Sequence, residues 1–140
     1  MKHDPDCIFC QIISGDIPCF RLYEDAKSLA FMDVSPLNPG HALVIPLHHA
    51  ANVFESPQKW VLAAMATAQR IARAVRETLH PPGMTLYQSN GAAAAQSVMH
   101  FHIHVIPRAH GDNLPMNWKL KTGDLDEIAG LAARIRVNVN

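Results

Sequence analysis

The chain has 140 residues, of which 49% are hydrophobic and 17% are charged, and its 12 basic residues balance 12 acidic ones. This length suits one domain with a real apolar core, so residues 1–140 are treated as a single domain. Zero net charge gives no broad field to attract nucleic acid or anionic lipid. No apolar run approaches the ~20 residues of a membrane span, and the polar N-terminus lacks the apolar stretch of a secretory signal. We therefore expect a cytoplasmic protein that binds neither nucleic acid nor membranes.

Cysteine is scarce and histidine is abundant. There are nine histidines and three cysteines, and an odd number of cysteines in a chain without a signal argues against a disulfide framework. Cys7 and Cys10 form a C-x-x-C pair, which indicates half of a metal site or a redox pair. A redox pair is disfavoured because the usual βαβ context is missing, and a third interpretation is two reduced, buried, apolar-like side chains. Cys19 is expected to serve only as an apolar packing residue, and His3 and His110 are expected to be exposed to solvent.

Five segments rich in β-formers and bounded by turn residues predict strands. They cover residues 20–24, 28–34, 41–45, 84–88 and 98–107. Because neighbouring strands are too close in sequence for helical crossovers, we expect an antiparallel sheet and an α+β fold.

Three further segments predict helices. Residues 8–13 form a short helix that Ser14 and Gly15 stop. Ser56 and Pro57 predict the start of a long helix, with the serine hydroxyl as its cap. Asp124 and Glu127 form a capping-box pattern that predicts a C-terminal helix. The long helix carries one apolar stripe that recurs at three- and four-residue spacing: Val61, Ala64, Ala68, Ile71, Val75 and Leu79.

Residues 100–106 alternate histidine with apolar residues. In a strand, His100, His102 and His104 point to one face, while the apolar residues between them point to the core. This histidine face is about 13 Å long at ~3.3 Å per residue. One metal ion held by all three is disfavoured, because each Zn–N bond is only about 2.0 Å long; two of them sharing an ion is possible.

Nucleophilic catalysis is the favoured interpretation of this strand. A neutral imidazole attacks phosphorus when its other nitrogen is held by a hydrogen bond, and a neighbouring histidine can protonate the leaving group. His102 is best placed because it has a companion on each side. The alternative is three polar side chains on the solvent face of a half-buried strand.

These residues resemble the signature of the histidine-triad family, His-φ-His-φ-His-φ-φ with φ apolar, at every position of 100–106. The resemblance extends over roughly residues 7–108, whereas residues 109–140 lack a close match. It rests on further segments in the family's order, at residues 7–13, 29–36, 38–46 and 96–98. It implies a five-stranded antiparallel sheet with one long helix and a C-terminal helix, usually paired as a homodimer.

The resemblance also implies attack on a nucleotide α-phosphate, giving a nucleotidyl-histidine that water resolves. His102 would be the nucleophile, and His104 would contact the phosphate or the leaving group. His100 would orient the set, and His41 would be a hydrogen-bond partner behind it.

Further residues are similar to the family's nucleotide contacts. Gln96 and Ser97 would contact the phosphate or leaving group, and Asp33 would bind the ribose hydroxyls. Two positions depart from the family pattern. Ser89 replaces a common asparagine, and its shorter side chain reaches less far toward the phosphate. Ala95 replaces a common glycine, and because alanine disfavours positive φ, this predicts a differently shaped loop. The expected purine-pocket wall consists of Ile8, Phe9, Ile12, Phe31 and Val34.

The residues alone leave the partners of Cys7 and Cys10 open among His48, His49 and His100. Resemblance to bacterial members of the family implies one zinc ion per chain, held by Cys7, Cys10, His49 and His100. Four protein ligands leave no position for water, so this zinc would be structural.

The leading hypothesis is a hydrolase of nucleotide phosphoramidates or other nucleotidyl substrates, acting on purine nucleotides. The alternatives are a dinucleoside polyphosphate hydrolase of the same family and a non-catalytic module that binds nucleotide or zinc. A histidine-rich metal-trafficking protein would need several ions per chain.

Overall fold

The fold is described from a computed structural model, which covers residues 1–114 and 121–138. Residues 115–120 and 139–140, part of the unmatched segment 109–140, lie outside the described residues. The helices are α1 (Ile8–Ser14), α2 (Gln58–Leu79) and α3 (Leu125–Arg136), with a 3-10 turn at Ala92–Ala94. The strands are β1 (Arg21–Glu24), β2 (Ser28–Met32), β3 (Ala42–Pro46), β4 (Gly83–Tyr87) and β5 (Ile103–Arg108).

The strands form one five-stranded sheet in the order β1-β2-β3-β5-β4, and every neighbouring pair is antiparallel. The predicted α+β class and antiparallel sheet are confirmed. None of the described helices combines the length and apolarity needed to cross a membrane.

The sheet separates two apolar clusters. One lies under α2 and includes Ala64, Ala68 and Ile71 of the predicted stripe, together with Phe101, Ile103 and Val105. The other lies on the opposite side under α1 and includes Phe9, Phe31 and both cysteines of the C-x-x-C pair. The apolar residues between the histidines therefore enter the α2 core as predicted, and the histidines belong to the α1 side.

The start of α2 differs from the prediction. Pro57, not Ser56, is the N-cap residue, and it makes no side-chain capping bond. Ser56 stands one residue too early for its hydroxyl to reach the first free amide groups of the helix. Its Oγ is buried and has no hydrogen-bond partner among the described residues.

The last strand is shorter than predicted. β5 begins at Ile103 instead of residue 98, so His100 and His102 precede it. The Phe101 amide donates to the Ala50 carbonyl at 2.8 Å, outside the ladder. Within the sheet, β5 lies between β3 and the edge strand β4, and its residue His104 lies opposite Leu43 of β3 and Tyr87 of β4.

The predicted C-terminal helix is confirmed. The Asp124 carboxylate accepts the amide hydrogens of Asp126 and Glu127 at 3.0 and 3.2 Å, which caps α3. The apolar face of α3 is exposed, with Ile128 at 52% and Ile135 at 62% of full exposure.

The loop between β4 and β5 contains the substitution of alanine for the family's glycine. Ala95 ends the 3-10 turn in the left-handed region, at φ 62° and ψ 29°. Alanine therefore adopts here a positive φ that glycine would adopt at lower cost, and the differently shaped loop stays a prediction. The cost of that conformation for an L-residue is roughly 1–2 kcal/mol.

This strain predicts opposite effects of one substitution at two neighbouring exposed alanines. Ala95→Gly relieves the left-handed strain and should raise the free energy of unfolding by about 1 kcal/mol. Ala93→Gly, inside the 3-10 turn, should lower the free energy of unfolding by about 0.5–1 kcal/mol, because glycine loses more conformational freedom on folding than alanine does. Denaturant unfolding of both variants measures this, and equal losses at the two sites would contradict a left-handed Ala95.

Candidate active site

A cavity of about 440 Å³ lies on the α1 side of the sheet. Its walls come from α1, from the end of β2 and the following loop, from the last residue of β4, and from the residues around the start of β5. The cavity brings together most of the residues predicted for catalysis and nucleotide contact: Ile8, Phe9, Ile12, Phe31, Asp33, Val34, Ser97, His102 and His104.

His102 is held in one tautomer by the backbone. Its Nδ1 lies 2.6 Å from the carbonyl oxygen of His100, and a carbonyl can only accept, so Nδ1 carries the proton. Nε2 of the neutral ring then has a free lone pair. The ring is 4% exposed and forms part of the cavity wall. This is the arrangement that a nucleophilic imidazole requires.

His104 is held in the opposite tautomer through His41. The Leu37 amide donates to His41 Nδ1 at 3.0 Å, so His41 carries its proton on Nε2. That nitrogen lies 2.8 Å from His104 Nδ1, which therefore accepts. His104 Nε2 keeps the remaining proton and is a donor. Predicted as a partner behind the histidine set, His41 contacts His104 directly.

Asp33 stands beside this relay. One carboxylate oxygen lies 3.4 Å from His41 Nε2, and the other accepts the Ser35 amide at 2.8 Å. The carboxylate thus shapes its own loop and also faces the cavity.

Tyr87 is a cavity residue that the sequence analysis missed. Its ring stacks on His104 with centroids 4.1 Å apart and planes 6° apart, and burial raises the pKa of its hydroxyl. The sequence showed only that Tyr87 lies near the end of a predicted strand, and its position directly opposite His104 in the ladder is visible in the structure alone.

The prediction that the three histidines form one polar face needs correction at His100. This side chain is fully buried, is not among the cavity-lining residues, and points toward the C-x-x-C pair. Its Nε2 donates to the Pro46 carbonyl at 2.9 Å, which leaves Nδ1 free to accept. His100 orients His102 through its backbone carbonyl, and its ring serves another site.

That other site, the Cys/His cluster, consists of Cys7, Cys10, His49 and His100, all buried, with ligand atoms within 4.8 Å of one another. The Sγ atoms of Cys7 and Cys10 lie 3.5 and 3.7 Å from His100 Nδ1. His49 Nδ1 lies 3.5 Å from Cys10 Sγ and 3.3 Å from His100 Nδ1. The structure thus places together the four residues predicted as metal ligands.

His48, left open as a ligand, lies outside the cluster. Its ring stacks on Trp60 with centroids 5.3 Å apart, and its Nδ1 accepts the Lys2 amide at 2.9 Å.

Two predicted phosphate contacts are not among the cavity-lining residues. The Gln96 amide oxygen accepts the Gly91 amide at 2.7 Å, and its nitrogen donates to the carbonyls of Ala51 and Val98. Gln96 is therefore committed to the backbone and braces the loop, which corrects its assignment as a direct contact. Ser89 is also away from the cavity, and its carbonyl accepts from Gln88 Nε2 at 3.0 Å.

Burial keeps the site histidines neutral. It lowers the pKa of His102 and of His41, and it lowers the pKa of His104 to about 4. In the Cys/His cluster, burial likewise lowers the pKa of His100 to about 4 and raises the pKa of Cys10 to about 11.

Comparisons of the sequence and of the structure with known proteins point to the same family. The family model described as the HIT domain matches residues 14–111. An adenosine 5'-monophosphoramidase of Saccharomyces cerevisiae is 38% identical over 129 residues, covering 91% of this chain and 79% of the yeast protein. A HIT family protein from Bacillus anthracis superposes with a TM-score of 0.90 at 34% identity, over 97% of this chain and 99% of that one. A Zn-bound histidine triad family protein from Mycobacterium smegmatis gives 0.74 at 40% identity, over 95% and 96%.

The lowered pKa values predict how the protein responds to acid. Folding favours the neutral rings of His102 and His104. Below the ordinary histidine pKa, the unfolded chain therefore binds protons at these rings that the native state does not bind. The free energy of unfolding should be unaffected by these groups above about pH 7 and should fall as the pH drops below the ordinary histidine pKa of about 6.5. Histidine ring titration by NMR, with His104→Gln for assignment, should place His104 near pH 4. A His104 midpoint at or above 6.5 would contradict the buried relay.

Proposed function

The chain belongs to the HIT domain family, and from that premise we propose that it is a hydrolase that cleaves phosphoramidate bonds of purine nucleotides. The observation that carries the proposal is the pair of opposite tautomers at the cavity. His102 Nε2 offers a lone pair because its Nδ1 donates to a carbonyl. His104 Nε2 offers a proton because its Nδ1 accepts from His41. A nucleophile and a hydrogen-bond donor side by side suit displacement at phosphorus.

In the proposed reaction, His102 Nε2 attacks the α-phosphorus and the bond from phosphorus to the leaving nitrogen breaks. The leaving nitrogen takes a proton from solvent and departs as the amine, while His104 Nε2 donates a hydrogen bond to it. Water then attacks the phosphorus of the nucleotidyl-histidine and releases its proton to solvent, and the mononucleotide leaves with His102 neutral again. The lowered pKa of His102 supports its role, because a protonated imidazole is not a nucleophile.

The cavity walls suit a nucleoside. Ile8, Ile12 and Val34 supply apolar surface for a base, and Phe9 and Phe31 pack edge to face with centroids 5.6 Å apart. We assign Asp33 to the ribose hydroxyls, because its carboxylate is the acidic group in the wall.

The charge of the cavity favours a phosphoramidate over the alternative, a dinucleoside polyphosphate. Among the lining residues of the described chain, Asp33 alone carries a formal charge at neutral pH, and no Lys or Arg is present. A polyphosphate bridge brings several negative charges that such a wall does not neutralise, whereas a phosphoramidate brings one phosphate and a departing amine.

A covalent intermediate tests this proposal. Brief exposure to an adenosine phosphoramidate, quenched and measured by intact-mass spectrometry, should show the chain plus one nucleotidyl group. His102→Ala should abolish the adduct and lower kcat by at least 10³-fold, because it removes the nucleophile.

The matched control is His110→Ala, at an exposed histidine outside the cavity, which should retain adduct formation and activity. A diadenosine polyphosphate run in parallel should turn over more slowly. Nucleotide binding with no adduct and no His102-dependent turnover would overturn the enzyme proposal and leave a non-catalytic binding module.

We also propose that the Cys/His cluster binds one zinc ion per chain. With Zn–N bonds of about 2.0 Å and Zn–S bonds of about 2.3 Å, tetrahedral ligands lie about 3.3 Å apart for two nitrogens and about 3.5 Å apart for nitrogen and sulfur. The distances of 3.3 Å for His49 to His100, and of 3.5 to 3.7 Å for the nitrogen–sulfur pairs, fit these values. The donor set of two thiols and two imidazoles is one that zinc prefers.

This zinc would be structural. Its four protein ligands complete a tetrahedron, so when bound it supplies a cross-link and no reactive water. The cross-link would join α1, which forms one wall of the cavity, to the segment that carries His102.

Cysteine variants test the metal assignment. Metal analysis of the purified protein should find about one zinc per chain, and Cys10→Ser should lower that to near zero, because it removes a ligand with two contacts in the cluster. Cys19→Ser is the matched control and should retain the zinc. Zinc removal should also weaken nucleotide binding, because α1 loses its anchor. Equal zinc content in the two variants would contradict the assignment, and several ions per chain would favour metal trafficking.

The homodimer and the cytoplasmic location stay predictions. The homodimer is supported by the apolar residues that α2 and β4 expose, Leu62 at 60%, Met65 at 49% and Leu86 at 39%.

A further inference from the structure

The N-terminal arm, defined as residues 2–6, lies against the Cys/His cluster. The Lys2 carbonyl accepts the amide of His49 at 2.9 Å, and the Lys2 amide donates to His48 Nδ1 at 2.9 Å. Lys2 therefore holds the arm against His48 and His49, and His49 belongs to the Cys/His cluster. The arm then leads into α1.

Asp4, in the middle of this arm, meets three members of the cluster. Its carbonyl accepts the Cys7 amide at 3.1 Å, and its own amide donates to Cys10 Sγ at 3.4 Å. Its carboxylate lies 3.7 Å from His49 Nε2. One residue thus contacts both sulfur-bearing residues and the ring of one histidine.

The two cluster histidines are arranged alike. Both turn Nδ1 toward the sulfur atoms, and each has an acceptor behind Nε2. For His100 that acceptor is the Pro46 carbonyl at 2.9 Å. For His49 the group in that position is the Asp4 carboxylate, whose oxygen lies 3.7 Å from Nε2, an electrostatic contact longer than a hydrogen bond. An acceptor behind the distal nitrogen fixes the tautomer of a metal-binding histidine and raises its basicity.

We propose that Asp4 is a positioning residue of the metal site, whose carboxylate holds His49 with Nδ1 free for the ion. This inference rests on the proposed zinc site and extends it beyond the four ligands. The backbone contacts of Asp4 fix where its carboxylate stands. The carboxylate is partly exposed, with 42% of the side-chain area accessible, so replacing it leaves the apolar core intact.

Zinc affinity, measured by equilibrium competition with a chromophoric chelator, tests the proposal. Asp4→Ala should weaken zinc binding by about 10- to 100-fold, the usual effect of losing such a partner. Asp4→Asn, which keeps a neutral acceptor, should lose less. Both variants retain the backbone contacts, so the change reports on the carboxylate.

Asp6 provides the matched control. It is an exposed acid two residues along the same arm, and its amide, not its carboxylate, contacts Asp4 at 2.9 Å. Asp6→Ala removes the same charge and should leave zinc affinity within about twofold, as expected for an exposed charge.

A second measurement separates positioning from general destabilisation. Thermal unfolding of the zinc-free chain should give the same midpoint for Asp4→Ala and the unchanged protein, while their zinc-loaded midpoints differ.

The outcomes distinguish the proposals. Zinc affinity of Asp4→Ala equal to that of Asp6→Ala, in a protein that binds one zinc, overturns the role of Asp4 and leaves the zinc site standing. A chain that binds no zinc overturns both, without bearing on nucleotide hydrolysis.

Discussion

The hydrogen bond from His102 Nδ1 to the His100 carbonyl, at 2.6 Å, sets the chemistry of the cavity. Because the acceptor is a backbone carbonyl, this bond admits one tautomer of His102 and leaves the lone pair on Nε2. The carbonyl keeps its place because the side chain of the same residue is fixed at both ring nitrogens, by Pro46 on one side and by the Cys/His cluster on the other. The tautomer of His102, the proposed nucleophile, therefore depends on a cluster that lies outside the cavity.

The same principle governs His104, with a different backbone group. The amide of Leu37 can only donate, so it fixes His41, and His41 in turn fixes His104. Stacking on Tyr87 holds the plane of the His104 ring. Two neighbouring imidazoles of equal intrinsic pKa thus become a lone-pair donor and a hydrogen-bond donor through backbone groups. The Asp33 carboxylate, 3.4 Å from His41 Nε2, favours the same position of the His41 proton. Burial helps because it disfavours the imidazolium form of both rings.

Periodicity, together with turn, capping and helix-stop residues, was sufficient to predict the strands, the three helices and the face on which the histidines lie. It failed where the outcome depends on contacts between distant segments. The pattern treats His100, His102 and His104 as equivalent, but β5 begins only at Ile103, and long-range contacts direct the His100 ring into the cluster. Gln96 was assigned by resemblance to the phosphate, while the loop it closes takes up its whole amide. Tyr87 escaped notice because its contact is across strands, and a sequence does not display register.

Helix α1 connects the two sites in physical terms. A seven-residue helix is too short to be stable by itself in water, so tertiary contacts decide where it stands. Phe9, between the two cysteines, supplies much of that contact: its ring meets His100 at 5.9 Å and His102 at 5.3 Å, both edge to face. Cys7 and Cys10, on either side of Phe9 in the sequence, belong to the Cys/His cluster, and Phe9 itself lines the cavity. Displacing α1 would move the cavity wall and would also remove the contact of Phe9 with His102. The position of α1 therefore couples the Cys/His cluster to the cavity.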